Sequence, residues 1–239
     1  MKYFTILIWF FSLVGVFYML YTIEYFFDFF HYFDKAYMAK KGFSFGDMFL
    51  RRDIDFWNAK KDKVHDYVWV TALYLHVIGS LLAISIGPFQ FVKILREKKT
   101  KWHRNLGKIY VGSILFLGVP TGGYMAFFAN GGIWASIGFG ILTLLWLTTT
   151  YLAYQFIRKG NLKAHQNWMI RSYAITFAAA TLRFWTMFLS ANPEVFTNFG
   201  VLDVRQAITI ACAWLAWIPN IIVAELIISR RFSQIVTQI

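Results

Sequence analysis

The feature that most constrains this chain is the length of its stretches without a charged residue. Residues 3–23, 67–92 and 109–157 carry no Lys, Arg, Asp or Glu. Residues 168–190 carry Arg171 near their start and Arg183 within, and 206–228 carry Glu225 alone. About 20 apolar residues cross a hydrocarbon core as a helix, so these stretches predict membrane spans. The stretch 109–157 is too long for one span. It contains a turn signal at Asn130-Gly131-Gly132, which divides it into helices near 109–129 and 133–157. The expectation is an all-α bundle of six transmembrane helices, at 3–23, 67–92, 109–129, 133–157, 168–190 and 206–228.

Composition agrees. Charged residues are 15% of the chain, against about 25% in soluble domains. The formal charge is +12, which in a soluble protein would suggest nucleic acid. Here the charges are sorted along the chain. Residue 2 and segments 93–108, 158–171 and 230–231 hold 14 Lys and Arg and one acid, Glu97. Segments 24–66 and 191–205 hold nine basic and ten acidic residues. Positive residues gather on cytoplasmic loops, so the expected topology is N-in and C-in. The basic balance is then a topology signal and not a nucleic-acid footprint.

The apolar stretch after Lys2 lacks a small-x-small cleavage site and ends in bulky residues up to Tyr25. It reads as a retained first helix. The chain reads as one transmembrane domain, 1–239, with 24–66 as an outer surface segment of short helices or loop. The single cysteine, Cys212, excludes an intrachain disulfide and a multi-cysteine metal site.

The few polar residues inside the spans are the candidate sites. At 1.5 Å per residue, His76 lies about 13 Å and Arg183 about 11 Å from the outer side. An intramembrane Arg faces a cavity, a partner or the bundle interior. The pair His76 and Arg183 forms an outer polar layer suited to an anion, a quinone or a carboxylate, with His76 able to exchange a proton. Snorkelling of Arg183 outward is the plain alternative.

An inner polar cluster comprises His103, Arg104, His165, Arg171 and Glu225. Two histidines and a carboxylate are a set that a divalent metal can use. His103 and His165 on two helices can also hold the iron of a haem b. Anchoring to anionic lipid headgroups explains the same residues. Gly87-Pro88 and Pro120 with Gly122 and Gly123 are expected to kink their helices and admit close neighbours. Trp69, Tyr110, Trp146, Trp102 and Trp134 read as belt or lipid-facing aromatics. Trp185 and Trp217 read as deeper, where they can pack on a planar ligand. There is no HExxH, GxSxG or P-loop motif.

Several motifs together carry a resemblance. They are His76-Val-Ile-Gly-Ser with Gly87-Pro88-Phe89-Gln90-Phe91, then His103-Arg-Asn-Leu-Gly107-Lys-Ile-Tyr110. They continue with Asn130-Gly-Gly132, Gly138-Phe139, His165-Gln-Asn-Trp-Met-Ile-Arg171-Ser-Tyr-Ala174 and Phe177-Ala-Ala-Ala-Thr-Leu-Arg183. In this order they resemble a bacterial multi-pass membrane family, the domain of unknown function family numbered 2306. The resemblance covers roughly residues 70 to 190 and marks His76, Arg104, Gly107, His165, Arg171 and Arg183 as motif positions. Gln166 stands where the family favours Arg. The resemblance implies a helical integral protein of a bacterial inner membrane, and no activity.

Three functions stay open on these residues. One is binding of a small ligand or redox cofactor, with anionic lipid, quinone, haem or metal as the chemistry. A second is transport of a small anion or lipid through His76 and Arg183. The third is a structural or assembly role in which 24–66 binds a protein partner.

Overall fold

The computed structural model describes residues 66–197 and 203–236, the side chains up to 230, together with Trp9 and Leu13. The first expected helix and segment 24–66 otherwise lie outside these residues. The described residues are helical throughout, with no strand among them. Five helices are long and apolar enough to cross a membrane: α1 (Tyr67–Phe91), α2 (Thr100–Ala126), α3 (Gly132–Arg158), α4 (Leu162–Ala191) and α5 (Val204–Arg230). They correspond to the second through sixth uncharged stretches.

Three of these helices begin on a side-chain cap. Asp66 accepts from the N–H groups of Val68 and Trp69 at 3.0 and 3.2 Å. Asn161 accepts from Ala164 at 3.0 Å, and Asp203 from Gln206 at 2.9 Å. Each cap satisfies backbone donors that a helix start leaves free. The α2–α3 connection passes through Gly132 at φ 63°, and the α3–α4 connection through Gly160 at φ 75°. Both sit in the left-handed region that only glycine occupies without strain.

Two boundaries differ from the sequence expectation. Helix α2 begins at Thr100 rather than near 109, and α4 at Leu162 rather than 168. The added turns carry Lys101, Arg104, Lys108 and Lys163. Charge is tolerated where a helix end reaches the interface, so a helix outlasts the uncharged run that reveals it.

Regular α-helical bonding is interrupted inside the spans. At Gly87–Phe91 α1 tightens to a 3-10 turn that contains Pro88. In α2, Ser113–Gly118 is a π-helical segment directly before Pro120, with the Val119 N–H reaching the Ile114 carbonyl. Proline lacks the N–H a regular turn needs, and widened turns of this kind absorb the mismatch. Helices α4 and α5 are also broken, at Phe177 and at Ala216–Trp217. Asn220 joins these two breaks. Its Nδ2, with two N–H donors, lies within hydrogen-bonding distance of the Ala174 carbonyl at 3.1 Å, Thr181 Oγ1 at 2.8 Å and the Ala216 carbonyl at 3.0 Å.

Helix α3 packs on α2, α4 and α5, and α1 packs on α2. Small residues allow the contacts. A Cβ at Gly79 of α1 would stand 2.7 Å from Leu117 Cβ of α2, and one at Gly138 of α3 would stand 3.0 Å from Ala213 Cβ of α5. The main core cluster draws on four helices and includes Ala83, Tyr110, Ile114, Trp146 and Tyr173. We call the end that carries residues 93–99 and 159–161 the basic end, and the one that carries 127–131 the turn end.

Candidate functional site: a cavity between five helices

The centre of the bundle contains a band of hydroxyl groups. Tyr110 Oη lies 2.9 Å from both Ser172 Oγ and Thr176 Oγ1. Ser172 Oγ lies 2.7 Å from Thr150 Oγ1, and Trp146 Nε1 donates to Thr176 Oγ1 at 2.9 Å. Tyr110, Thr150 and Ser172 are fully buried. A buried polar group must find a partner, and these five side chains from α2, α3 and α4 find one another. Tyr110, Trp146 and, outside the band, Trp69 are buried core residues, and the belt reading of all three is corrected. Trp102 and Trp134 are 65% and 63% exposed.

Toward the turn end, the packing opens into a cavity of about 450 Å³ to which all five helices contribute. Trp69 and His76 line it from α1, Gly122 from α2, Trp146 from α3, Arg183 from α4 and Cys212 from α5. The structure thus brings His76 and Arg183 into one lining. A polar recess of about 240 Å³, lined by Asp203, Arg205 and Gln206, shares Asn130 and Thr209 with the cavity.

His76 is held in a defined orientation. Its Nδ1 is 3.0 Å from the Gly118 carbonyl. A carbonyl only accepts, so Nδ1 carries the proton and Nε2 keeps its lone pair. Thr121 Oγ1 lies 3.3 Å from the same Nδ1 and donates to the Leu117 carbonyl. The ring stands edge-on to Trp146, with centroids 6.2 Å apart. Gly122 makes room for it, since a Cβ there would be 2.9 Å from His76 Cε1. Gly118 does the same for Trp146, whose Cη2 would be 2.6 Å from a Cβ. A Cβ at Gly123 would meet Thr143 at an ordinary 3.6 Å. The glycine-rich stretch thus also clears space for two rings of the cavity wall.

Arg183 directs one N–H, on Nη1, to the Ala179 carbonyl at 3.0 Å. Cys212 is a buried thiol that accepts from Thr186 Oγ1 at 3.4 Å. Neither Trp185 nor Trp217 is part of the cavity lining. Trp217 packs on the main core cluster and donates to the Ala213 carbonyl at 3.0 Å.

The residues of the inner cluster separate into two groups. Arg171 forms a bidentate pair with Glu225, at 2.5 and 2.8 Å, and stacks 4.6 Å from the Trp168 ring centroid. His165 lies six residues before Arg171, so at about 100° per residue it faces another side of α4. Its Nδ1 is 2.8 Å from the Ala153 carbonyl, which leaves Nε2 as the acceptor nitrogen. His103 lies near enough to His165 and Arg104 for electrostatic interaction, and apart from the Arg171–Glu225 pair. Glu225 is thus engaged by Arg171 and stands apart from the two histidines. Among the described residues no three His, Cys, Asp or Glu side chains converge as a metal-ligand set.

Sequence reasoning missed the hydroxyl band, Trp69 and Trp146 as wall residues, and Asn220 as a bridge. A signal existed for the first. Ser172 and Thr176 are one helical turn apart in an apolar helix, which marks a polar stripe.

Comparison with curated proteins and with solved structures found no match. A family model described as "Predicted membrane protein (DUF2306)" matches residues 73–228, which contain His76, the hydroxyl band and Arg183. The chain is an integral membrane protein and belongs to that family.

Proposed function

We propose that the protein binds a small, mainly apolar molecule with an oxygen-bearing head, a quinone or a carboxylate, in the cavity between α1 and α5. The carrying observation is that His76 and Arg183 line the same 450 Å³ space. Ligand pockets fall at about 300–1,000 Å³ and combine apolar walls with a few placed polar groups. Arg183 offers N–H donors for an acceptor oxygen, and a guanidinium is the strongest such partner in an apolar setting. His76, with Nδ1 committed to the Gly118 carbonyl, presents Nε2 as the proton acceptor. Trp69 and Trp146 supply flat apolar walls.

In this reading the chain is a single transmembrane domain of six spans, N-in and C-in, in a bacterial inner membrane. Trp9 supports the arrangement. Its ring stands edge-on to Phe89 with centroids 4.9 Å apart, so Trp9 meets the basic end of α1. An N-in chain puts that contact on the inner side. The basic end then faces the cytoplasm, as its charges favour. A reporter fused to the C-terminus will be active only in its cytoplasmic form; activity on the outer side would reverse the topology.

Tryptophan fluorescence tests the binding. The wild type in mild detergent, titrated with a short-chain alkyl quinone or with decanoate, will show saturable quenching. Arg183→Gln will weaken binding at least tenfold, in line with about 1.5–3 kcal/mol for a hydrogen bond to a charged group. An isotherm identical in wild type and variant would reject the reading.

A further inference from the structure

The basic end holds three buried nitrogen atoms that no group among the described residues satisfies: Gln90 Nε2, Arg96 Nε and His103 Nδ1. They come from three consecutive elements, the 3-10 turn Gly87–Phe91, the short helix Lys93–Glu97 and the first turn of α2. These elements pack on one another. Gln90 is only 7% exposed. It lies against Gly107, where a Cβ would stand 3.2 Å from Gln90 Oε1. His103 precedes Gly107 by one helical turn and so shares its face. Arg96 and Arg104 are near enough to His103 to act on it electrostatically. Glu97 is the one acid of segment 93–108, and it pairs with Lys93 at 3.9 Å on the exposed side.

Buried polar atoms in folded proteins almost always have a partner. An orphaned amide N–H and an orphaned guanidinium N–H can only donate, so what completes them is an acceptor. The imidazole nitrogen joins them as a donor when it carries its proton. The surrounding charge is positive, so the acceptor is an anion. A compact anion with several oxygens can accept from donors carried by different elements, as a phosphate does.

We propose that Gln90, Arg96 and His103 form a phosphate-binding site at the basic end, with Arg104 adding to its field. None of these residues lines the cavity, so the site is independent of the ligand proposed there. The phosphate is that of a lipid headgroup or a free phosphate. Ile94 and Trp102, 53% and 65% exposed, flank the site with apolar surface that suits acyl chains.

Thermal unfolding of the full chain in dodecyl maltoside tests this with two probes. One is inorganic phosphate, with chloride at matched ionic strength as the reference. The other is a soluble short-chain phosphatidic acid. The expected result is saturable stabilisation that Arg96→Gln and, separately, His103→Gln weaken at least tenfold, while Lys93→Gln leaves it unchanged. Arg96 is half-buried and His103 lies in a terminal turn, so both variants avoid the fully packed core. Stabilisation by both probes assigns the site to the phosphate group itself; stabilisation by the lipid alone assigns it to a headgroup with its chains. If neither probe exceeds chloride, or if Lys93→Gln weakens binding as much as Arg96→Gln, the site does not exist.

Discussion

Two adjacent polar regions of this bundle are built differently. In the hydroxyl band, Tyr110, Thr150, Ser172, Thr176 and Trp146 hydrogen-bond one another at 2.7–2.9 Å in a closed core. In the layer next to it, His76 and Arg183 line open volume. Trp146 and Thr176 belong to both. Each has a hydrogen bond on the band side and forms part of the cavity wall. The contrast separates two uses of polarity within a membrane. Groups that satisfy each other fix how helices pack. Groups that line open volume can be reached by a ligand.

Variants can break this contrast. Tyr110→Ala removes a fully buried ring and the centre of the band. It should destabilise the fold by about 3–5 kcal/mol, read as a shift in a denaturing-detergent titration. A loss below 1 kcal/mol would mean that the band does not hold the helices. Arg183→Gln should do the reverse. Ligand affinity falls tenfold or more, about 1.5–3 kcal/mol, while the unfolding midpoint moves far less than in Tyr110→Ala. A variant of Arg183 that unfolds as readily as the tyrosine variant would place Arg183 among the packing residues.

Smaller effects sharpen the picture. Gly122→Ala puts a Cβ 2.9 Å from His76 Cε1, so the ring must shift and its bond to the Gly118 carbonyl must weaken. A cost of about 1–2 kcal/mol is expected for mild overpacking, together with a changed imidazole nitrogen signal by NMR. An unmoved signal would show that His76 does not depend on that space. Arg171→Gln breaks the pair with Glu225, whose side chain is 50% exposed. The expected loss is about 1 kcal/mol or less, as for exposed ion pairs, with ligand affinity unchanged. A change in affinity would tie the Arg171–Glu225 pair to the cavity.

The spans were legible because charge interrupts them. Each of α1 to α5 coincides with an uncharged or nearly uncharged stretch, and Asn130-Gly131-Gly132 marks a real turn, with Gly132 at φ 63°. The first turns of α2 escaped notice because their charges sit at the interface, where a helix continues past its apolar part. The orientation of aromatic residues was not legible. In a bilayer both the lipid-facing and the core-facing sides of a helix are apolar, so hydropathy does not distinguish Trp146 in the core from Trp134 at the surface. Gly122 was legible as a kink that admits a close neighbour, but a sequence shows a missing side chain without showing that His76 fills the space. His76 and Arg183 stood out for the opposite reason. A polar group is rare within a span, and its rarity is visible without coordinates.

The central claim is that the space between His76 and Arg183 is a ligand site. A density map of the protein purified from native membranes in mild detergent tests it most directly. The account predicts non-protein density in the cavity, flat or elongated, with its polar end within hydrogen-bonding distance of the Arg183 guanidinium and His76 Nε2. A cavity closed by its own side chains, with Arg183 turned out toward the lipid, would contradict it.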